Sequence, residues 1–132
     1  MTRAWCLTLL ILLAMSVTAG AHEIRSGDLV IVHPMADEAE KGQAVSRGSV
    51  MIRNEGKGPD QLLSIKCEFA EEAMVESEVP LVIPAKSQAR FILRFKNIKR
   101  KLSTDEAYAG ELMFKNAGTV SIDLMVHQPH SH

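Results

Sequence analysis

Hydrophobic and polar side chains alternate with a period of two along much of the chain. The longest runs place apolar residues at 63, 65, 67 and 69, at 91, 93 and 95, and at 120, 122, 124 and 126. Successive side chains of a β-strand point to opposite faces, so this period predicts strands that are each half buried. No long apolar stripe with helical spacing competes with it.

Shorter apolar runs at 29–33, 50–53, 81–83 and 108–114 are further candidate strands, and clusters of Gly, Pro, Asn and Ser lie between them. Turn residues at such intervals are typical of strands joined by short loops. The pattern therefore predicts an all-β fold, an antiparallel β-sandwich of about seven short strands. Residues 71–78 fit either one helical turn or an edge strand.

The N-terminal region has the pattern of a secretory signal peptide. Arg3 precedes an uncharged apolar run at 4–15, and small residues follow, ending in Ala19-Gly20-Ala21. The run is too short for a helix to cross about 30 Å of hydrocarbon, although a retained signal anchor is the alternative. We expect cleavage after Ala21, a mature periplasmic protein starting at His22, a domain over 22–126 and a tail over 127–132.

The composition without residues 1–21 argues against several classes of function. The remaining 111 residues suit one domain, and their 16 Asp and Glu against 14 Lys and Arg argue against nucleic acid as a partner. Cys67 is the one cysteine left, so no internal disulfide is expected. No acid–base or nucleophile pair is visible, and we expect that the protein is not an enzyme.

Charge is segregated along the chain. Residues 86–101 contain seven Lys and Arg without an acid, and residues 68–78 contain five Glu without a base. Such runs are typical of solvated strand faces or of edges that resist unwanted pairing. The other interpretation is a docking surface for a partner of opposite charge.

Histidine placement is the most informative chemical feature. Three of the five histidines, His127, His130 and His132, lie in the last six residues. Neutral imidazole suits copper, zinc and nickel, and His-rich tracts are typical metal binders. The tail is therefore the predicted principal metal site, and a polar tail without metal is the alternative.

The other two histidines extend this set of candidate ligands. At a mature N-terminus, His22 carries an α-amine and an imidazole that together can chelate Cu(II). His33 lies in Val32-His33-Pro34-Met35, a predicted loop in which the Met35 thioether is a soft ligand suited to Cu(I). The other methionines of the predicted domain are interpreted as core fillers, and Cys67 as an inert buried thiol.

Several short motifs, in conserved order along the chain, resemble the periplasmic copper chaperones called PCuAC. The resemblance begins with HEIRSGDLVIVHP at 22–34 and covers most of 22–126. Its later parts are Asn54-Glu55-Gly56 followed by Asp60-Gln61-Leu62, then Ile83-Pro84-Ala85, then Leu112-Met113-Phe114 followed by Ala117-Gly118-Thr119-Val120.

The resemblance implies a cupredoxin-like β-sandwich that carries Cu(I) on two His and two Met. Family members deliver copper toward respiratory oxidases, and some hold Cu(II) with a His- and Met-rich C-terminal extension. This sequence lacks the family's ligands at the corresponding positions. The family's first His corresponds to a position near Glu76, and its His-x-Met corresponds to positions near Ile92 and Arg94. The intervening Met belongs to a segment that is shortened between 78 and 81.

Two functions are compatible with these observations. The first is a monomeric, copper-binding chaperone with a relocated site on His22, His33, Met35, His127, His130 and His132. Its partner would be a periplasmic copper-receiving protein or an oxidase subunit. The second is an interaction module of the same family that binds no metal and docks a partner through its basic strand.

Processing is the first testable prediction. The exported protein should begin at His22 and lack tryptophan fluorescence, because Trp5 is the only tryptophan and lies in the signal. The intact mass of the protein recovered after export measures this directly. A mass that includes residues 1–21 would contradict both the periplasmic location and the chemistry expected of His22.

Overall fold

A computed structural model describes residues 23–76 and 81–128, and the described residues form nine β-strands without a helix. The all-β prediction is confirmed, with more strands than the seven expected. No helix in these residues has the length and hydrophobicity to cross a membrane. The strands are β1 (Glu23–Ser26), β2 (Leu29–Asp37), β3 (Val45–Asn54), β4 (Asp60–Cys67), β5 (Ala70–Glu76), β6 (Val82–Ile83), β7 (Ser87–Ile98), β8 (Ala107–Phe114) and β9 (Gly118–His127).

One curled sheet connects these strands in the order β5-β7-β3-β2-β9-β8-β4-β6, and β1 pairs with β2 outside this path. The curl brings β4 into contact with β5, so the sheet encloses a single core. All the described pairs are antiparallel except β2–β9, which is parallel and joins the two halves of the sheet. Alternation along a strand does not distinguish these two orientations, so the sequence pattern had not predicted a parallel pair.

The core is built from the inward-facing residues of each strand. The apolar positions predicted in β7 and β9 are buried, including Leu93, Phe95 and Leu124, and Ile92 on the other face is exposed. Phe69 packs edge-to-face against Phe95, with ring centroids 4.9 Å apart, and also against Tyr108 at 5.8 Å. The aromatic cluster therefore ties β7 to β8 across the interior.

The alternation predicted for residues 63–69 is wrong at its start. Leu62 is buried and Leu63 is 51% exposed, because the register of β4 against β8 shifts between Leu62 and Ser64. Such a bulge adds one residue and reverses which side chains face inward. Cys67 ends β4 and packs against the core, as expected.

Residues 70–76 form the edge strand β5, which settles the helix-or-strand alternative for the described part of that segment. Its acidic residues lie beside the basic strand β7, where Glu72 faces Lys96. The Asn97 side-chain amide donates a hydrogen bond of 3.0 Å to Glu71. Part of the acidic run therefore lies directly beside part of the basic run on the neighbouring strand, where opposite charges attract.

Asn54 is the hydrogen-bonding centre of the loop that joins β3 to β4. Its side chain is 2% exposed, and its amide nitrogen donates to the carbonyls of Gly58, at 2.9 Å, and Ile83, at 3.0 Å. Its amide oxygen accepts a hydrogen bond of 2.9 Å from the backbone nitrogen of Gly56. A buried amide with these partners fixes the loop, because leaving its polar groups unpaired would cost about 1–3 kcal/mol.

Asp60 ties the same region to the β8–β9 turn. Its carboxylate accepts backbone hydrogen bonds from Asn116 and Ala117, each at 2.9 Å. The motifs at 54–62, 83–85 and 112–120 that contribute to the family resemblance are therefore joined by hydrogen bonds of Asn54 and Asp60.

Close packing of β3 on β2 generates a stability prediction. A Cβ at Gly48 would collide with the Met35 carbonyl oxygen and lie 3.0 Å from a Phe95 ring carbon. Gly48→Ala should lower the free energy of unfolding by about 1–3 kcal/mol in urea denaturation. Gly58→Ala is the matched control, because a Cβ there meets nothing within 4 Å, and its effect should stay within about 0.5 kcal/mol. Equal stability of the two variants would contradict this packing.

Candidate metal centre

The positions that the resemblance associates with copper form an ion-pair cluster. Glu76 faces Ile92 in the β5–β7 pair, and its carboxylate lies 3.8 Å from the Arg94 guanidinium and 3.7 Å from that of Arg47. Two fixed positive charges at this distance repel a metal cation. These residues do not fit a copper site, in agreement with the loss of ligands seen in the sequence.

A second group of candidate residues lies on β2 and β9. His33 and Met35 are in β2, and His127 is the last residue of β9. Met35 was predicted in a loop, and this is wrong, because the strand continues through it to Asp37. The parallel register places Met35 opposite Met125 and Asp37 opposite His127. These four half-buried residues alternate with buried Ala36, Leu124 and Val126, so they share the outer face of the sheet.

His33 lies at an irregularity in β2. The register of β2 against β3 shifts between Val32 and Met35, and His33 has a φ of +46°. A non-glycine residue in this left-handed region costs about 1–3 kcal/mol, which the surrounding sheet must offset. Bulges of this kind often redirect a side chain, and the His33 side chain is exposed.

His127 belongs to the sheet and not to a tail. Its Nε2 lies 3.0 Å from the Asp37 carboxylate, and its carbonyl accepts a hydrogen bond of 3.0 Å from the Glu38 backbone nitrogen. The last strand therefore continues one residue beyond the alternation that ended at Val126. His22, His130 and His132 lie outside the described residues.

The donor set on this face is unusual for a chelating site. Within residues 23–76 and 81–128, no group of three or more His, Cys, Asp or Glu is placed to hold a metal ion. Burial raises the pKa of the Cys67 thiol, which disfavours the thiolate that binds metals. Beside the Asp37 carboxylate, the face offers imidazole and thioether, which are ligand types that suit copper.

Two residues of this face were missed by sequence reasoning. Met125 was interpreted as a core filler, although it lies on the polar side of the alternation at 120–126. That position was a usable signal, because an inward methionine should follow the apolar side. Asp37 had no such signal, since only the β2–β9 register places it beside His127.

Comparison with known proteins identifies similar structures. No protein-family model and no curated protein matches the sequence. The apo PCuAC domain from PmoF1 is similar at a TM-score of 0.75 and 25% identity, with 82% of this chain and 100% of that domain covered. The copper-bound PCuAC domain from PmoF2 is similar at a TM-score of 0.74 and 22% identity, over 82% of this chain and 99% of that domain. The apo PmoF2 PCuAC domain has a TM-score of 0.72 and 21% identity, over 83% and 98%.

The Glu76 cluster generates a prediction about copper binding. Glu76→Ala, Ile92→Ala and Arg94→Ala should each leave copper affinity within about twofold of the unchanged protein, because none of these side chains is an available ligand. Isothermal titration with copper at pH 7 measures this. A tenfold loss for Glu76→Ala, which is about 1.4 kcal/mol, would show that this carboxylate has replaced the missing histidine.

Proposed function

We propose that this chain, which has a PCuAC-type fold, binds copper in the periplasm and passes it to a receiving protein. The fold is the cupredoxin-like β fold that the motif resemblance implied. The observation that carries the proposal is the collection of copper-type ligands along β2. His33 and Met35 lie in this strand, and His127 faces its last residue, Asp37. The copper-bound state of the PmoF2 domain adds support by similarity.

The N-terminal part of the proposed site follows from the pairing of β1 with β2. Glu23 faces Val32 in this pair. In the sequence, His22 directly precedes Glu23 and His33 directly follows Val32. Each histidine is therefore the chain neighbour of one member of this facing pair, and consecutive Cα atoms are about 3.8 Å apart. After cleavage at Ala21, His22 supplies an amine and an imidazole and His33 a second imidazole. These three nitrogens suit Cu(II).

The C-terminal part of the proposed site begins at the other end of β2. His127 faces Asp37, which lies four residues beyond His33, or about 13 Å along an extended strand. His130 and His132 follow within five residues of His127 and add two imidazoles. Met35 lies between the two groups. We propose that the strand β2 thus connects the ligands of both chain ends.

Copper transfer requires ligands that a partner can displace. The exposed His33 meets this requirement, since a partner can approach it without unfolding the sheet. We propose that the protein is a monomeric carrier without enzymatic activity, and that its partner is a periplasmic copper-receiving protein or an oxidase subunit. The docking-module alternative has less support, because two cations of the basic strand have acidic neighbours in β5. Lys96 faces Glu72, and the Arg94 guanidinium lies 3.8 Å from the Glu76 carboxylate.

The Cu(II) site is tested by titrating the exported protein at pH 7 and pH 5. His33→Ala should weaken Cu(II) binding at least tenfold at pH 7, and deletion of residues 129–132 should remove any contribution of the tail without shortening β9. Free imidazole has a pKa of about 6.5 and protons compete with the metal, so binding should weaken as the pH falls from 7 to 5.

A substitution of Gln128 by Ala is the control for this titration, because it alters the same end of the chain without removing an imidazole. If the deletion alone removes the pH-dependent binding, the tail holds the ion, as the histidine spacing predicted. If the unchanged protein does not bind Cu(II), the proposed function is wrong.

A further inference from the structure

We infer that Met35, Met125 and His127 form a Cu(I) site on the outer face of the β2–β9 pair. This inference rests on the proposed copper function and names a ligand set for the reduced ion. It takes Met35 and His127 from the ligands proposed above, adds Met125, and lies away from the Glu76 cluster on β5. The register, burial and neighbours of these residues support it.

The two thioethers are held side by side. Met35 and Met125 are register partners in the parallel pair, so their backbones lie about 4.8 Å apart. Both side chains are half buried on the same face. A methionine side chain has three rotatable bonds, which allows both sulfur atoms to turn toward one ion between the strands.

The neighbours on either side leave room for an ion. Ser49 of β3 faces Met35, and Ala107 of β8 faces Met125. Both are small, so the residues directly opposite the two methionines leave space beside them. Met35 and Met125 are themselves partly exposed on this face, as a site that exchanges copper with a partner requires.

His127 supplies the third ligand, and Asp37 positions it. His127 lies two residues beyond Met125 on the same strand face, about 7 Å along the strand. The Asp37 carboxylate lies 3.0 Å from Nε2 and fixes the orientation of the imidazole ring. Histidines that bind metals commonly pair their second ring nitrogen with a carboxylate in this way.

The chemistry of this set selects Cu(I). Thioethers are soft ligands that bind Cu(I) in preference to Zn(II) or Cu(II), and one imidazole completes a neutral set of three. The carboxylate of Asp37 pairs with the ring and is not assigned to the ion. Thioether ligands carry no proton, so they remain available where a thiolate such as that of Cys67 is disfavoured.

The test is competition between the full chain and the Cu(I) chelator bathocuproine disulfonate under reducing conditions. The double variant Met35→Leu/Met125→Leu should bind Cu(I) at least tenfold more weakly, because leucine conserves volume and removes both sulfur ligands. The matched control is Met74→Leu/Met113→Leu on β5 and β8, which should stay within twofold. X-ray absorption of the Cu(I)-loaded protein should show sulfur scattering that the first variant loses and the control keeps.

The role of Asp37 is tested by a conservative and a non-conservative change. Asp37→Ala should weaken Cu(I) binding about tenfold by freeing the ring, whereas Asp37→Asn, which keeps an oxygen acceptor beside Nε2, should restore most of the affinity. Circular dichroism of each variant confirms that the sheet is retained. Equal loss in both variants would overturn the positioning role.

The outcomes separate this inference from the proposed function. Unchanged Cu(I) affinity or retained sulfur scattering in the Met35→Leu/Met125→Leu variant would overturn the thioether site, while its Cu(II) titration would still test the nitrogen ligands. Cu(I) binding that depends on the two methionines, in a protein that does not bind Cu(II), would support this site and overturn the Cu(II) proposal. Absence of Cu(I) binding by the unchanged protein would overturn the site outright.

Discussion

The parallel pairing of β2 with β9 is the contact on which the rest of this structure depends. It connects the half of the sheet that contains β5, β7, β3 and β2 to the half that contains β9, β8, β4 and β6. Without it the two halves would have exposed edges, and the core residues of each would face water instead of one another. The same pairing brings a strand from the start of the domain beside the strand at its end, so ligands far apart in sequence become neighbours.

A buried polar network secures the loops around this sheet. Asn54 and Asp60 are nearly inaccessible to solvent, and their hydrogen bonds join the β3–β4 loop to Ile83 and to the β8–β9 turn at Asn116. Buried polar groups with full sets of partners favour one arrangement of the backbone over its alternatives. Motifs at 54–62, 83–85 and 112–120 that resemble those of PCuAC proteins contribute residues to this network, and the fold is similar to that of PCuAC domains.

The electrostatic environment differs between the β5–β7 surface and the β2–β9 surface. On β5 and β7, Glu76 lies between the cations Arg47 and Arg94, and this arrangement satisfies the charges internally. On β2 and β9, the donors are methionine and histidine with a single carboxylate beside the ring of His127. Neutral, polarisable donors do not repel a cation, so the chemistry favours the second place for a metal.

The sequence by itself determined the strands and the types of ligand. Alternation correctly predicted the buried face of β7 and β9, because the side-chain period of a strand is set locally. It was wrong at Leu63 and left β5 open, since a bulge and an edge pairing depend on the partner strand. His33, Met35 and His127 were predicted as candidate ligands from their chemistry alone. Only the tertiary structure placed Met125 opposite Met35 and Asp37 opposite His127, because register between strands 90 residues apart is set by packing and not by local pattern.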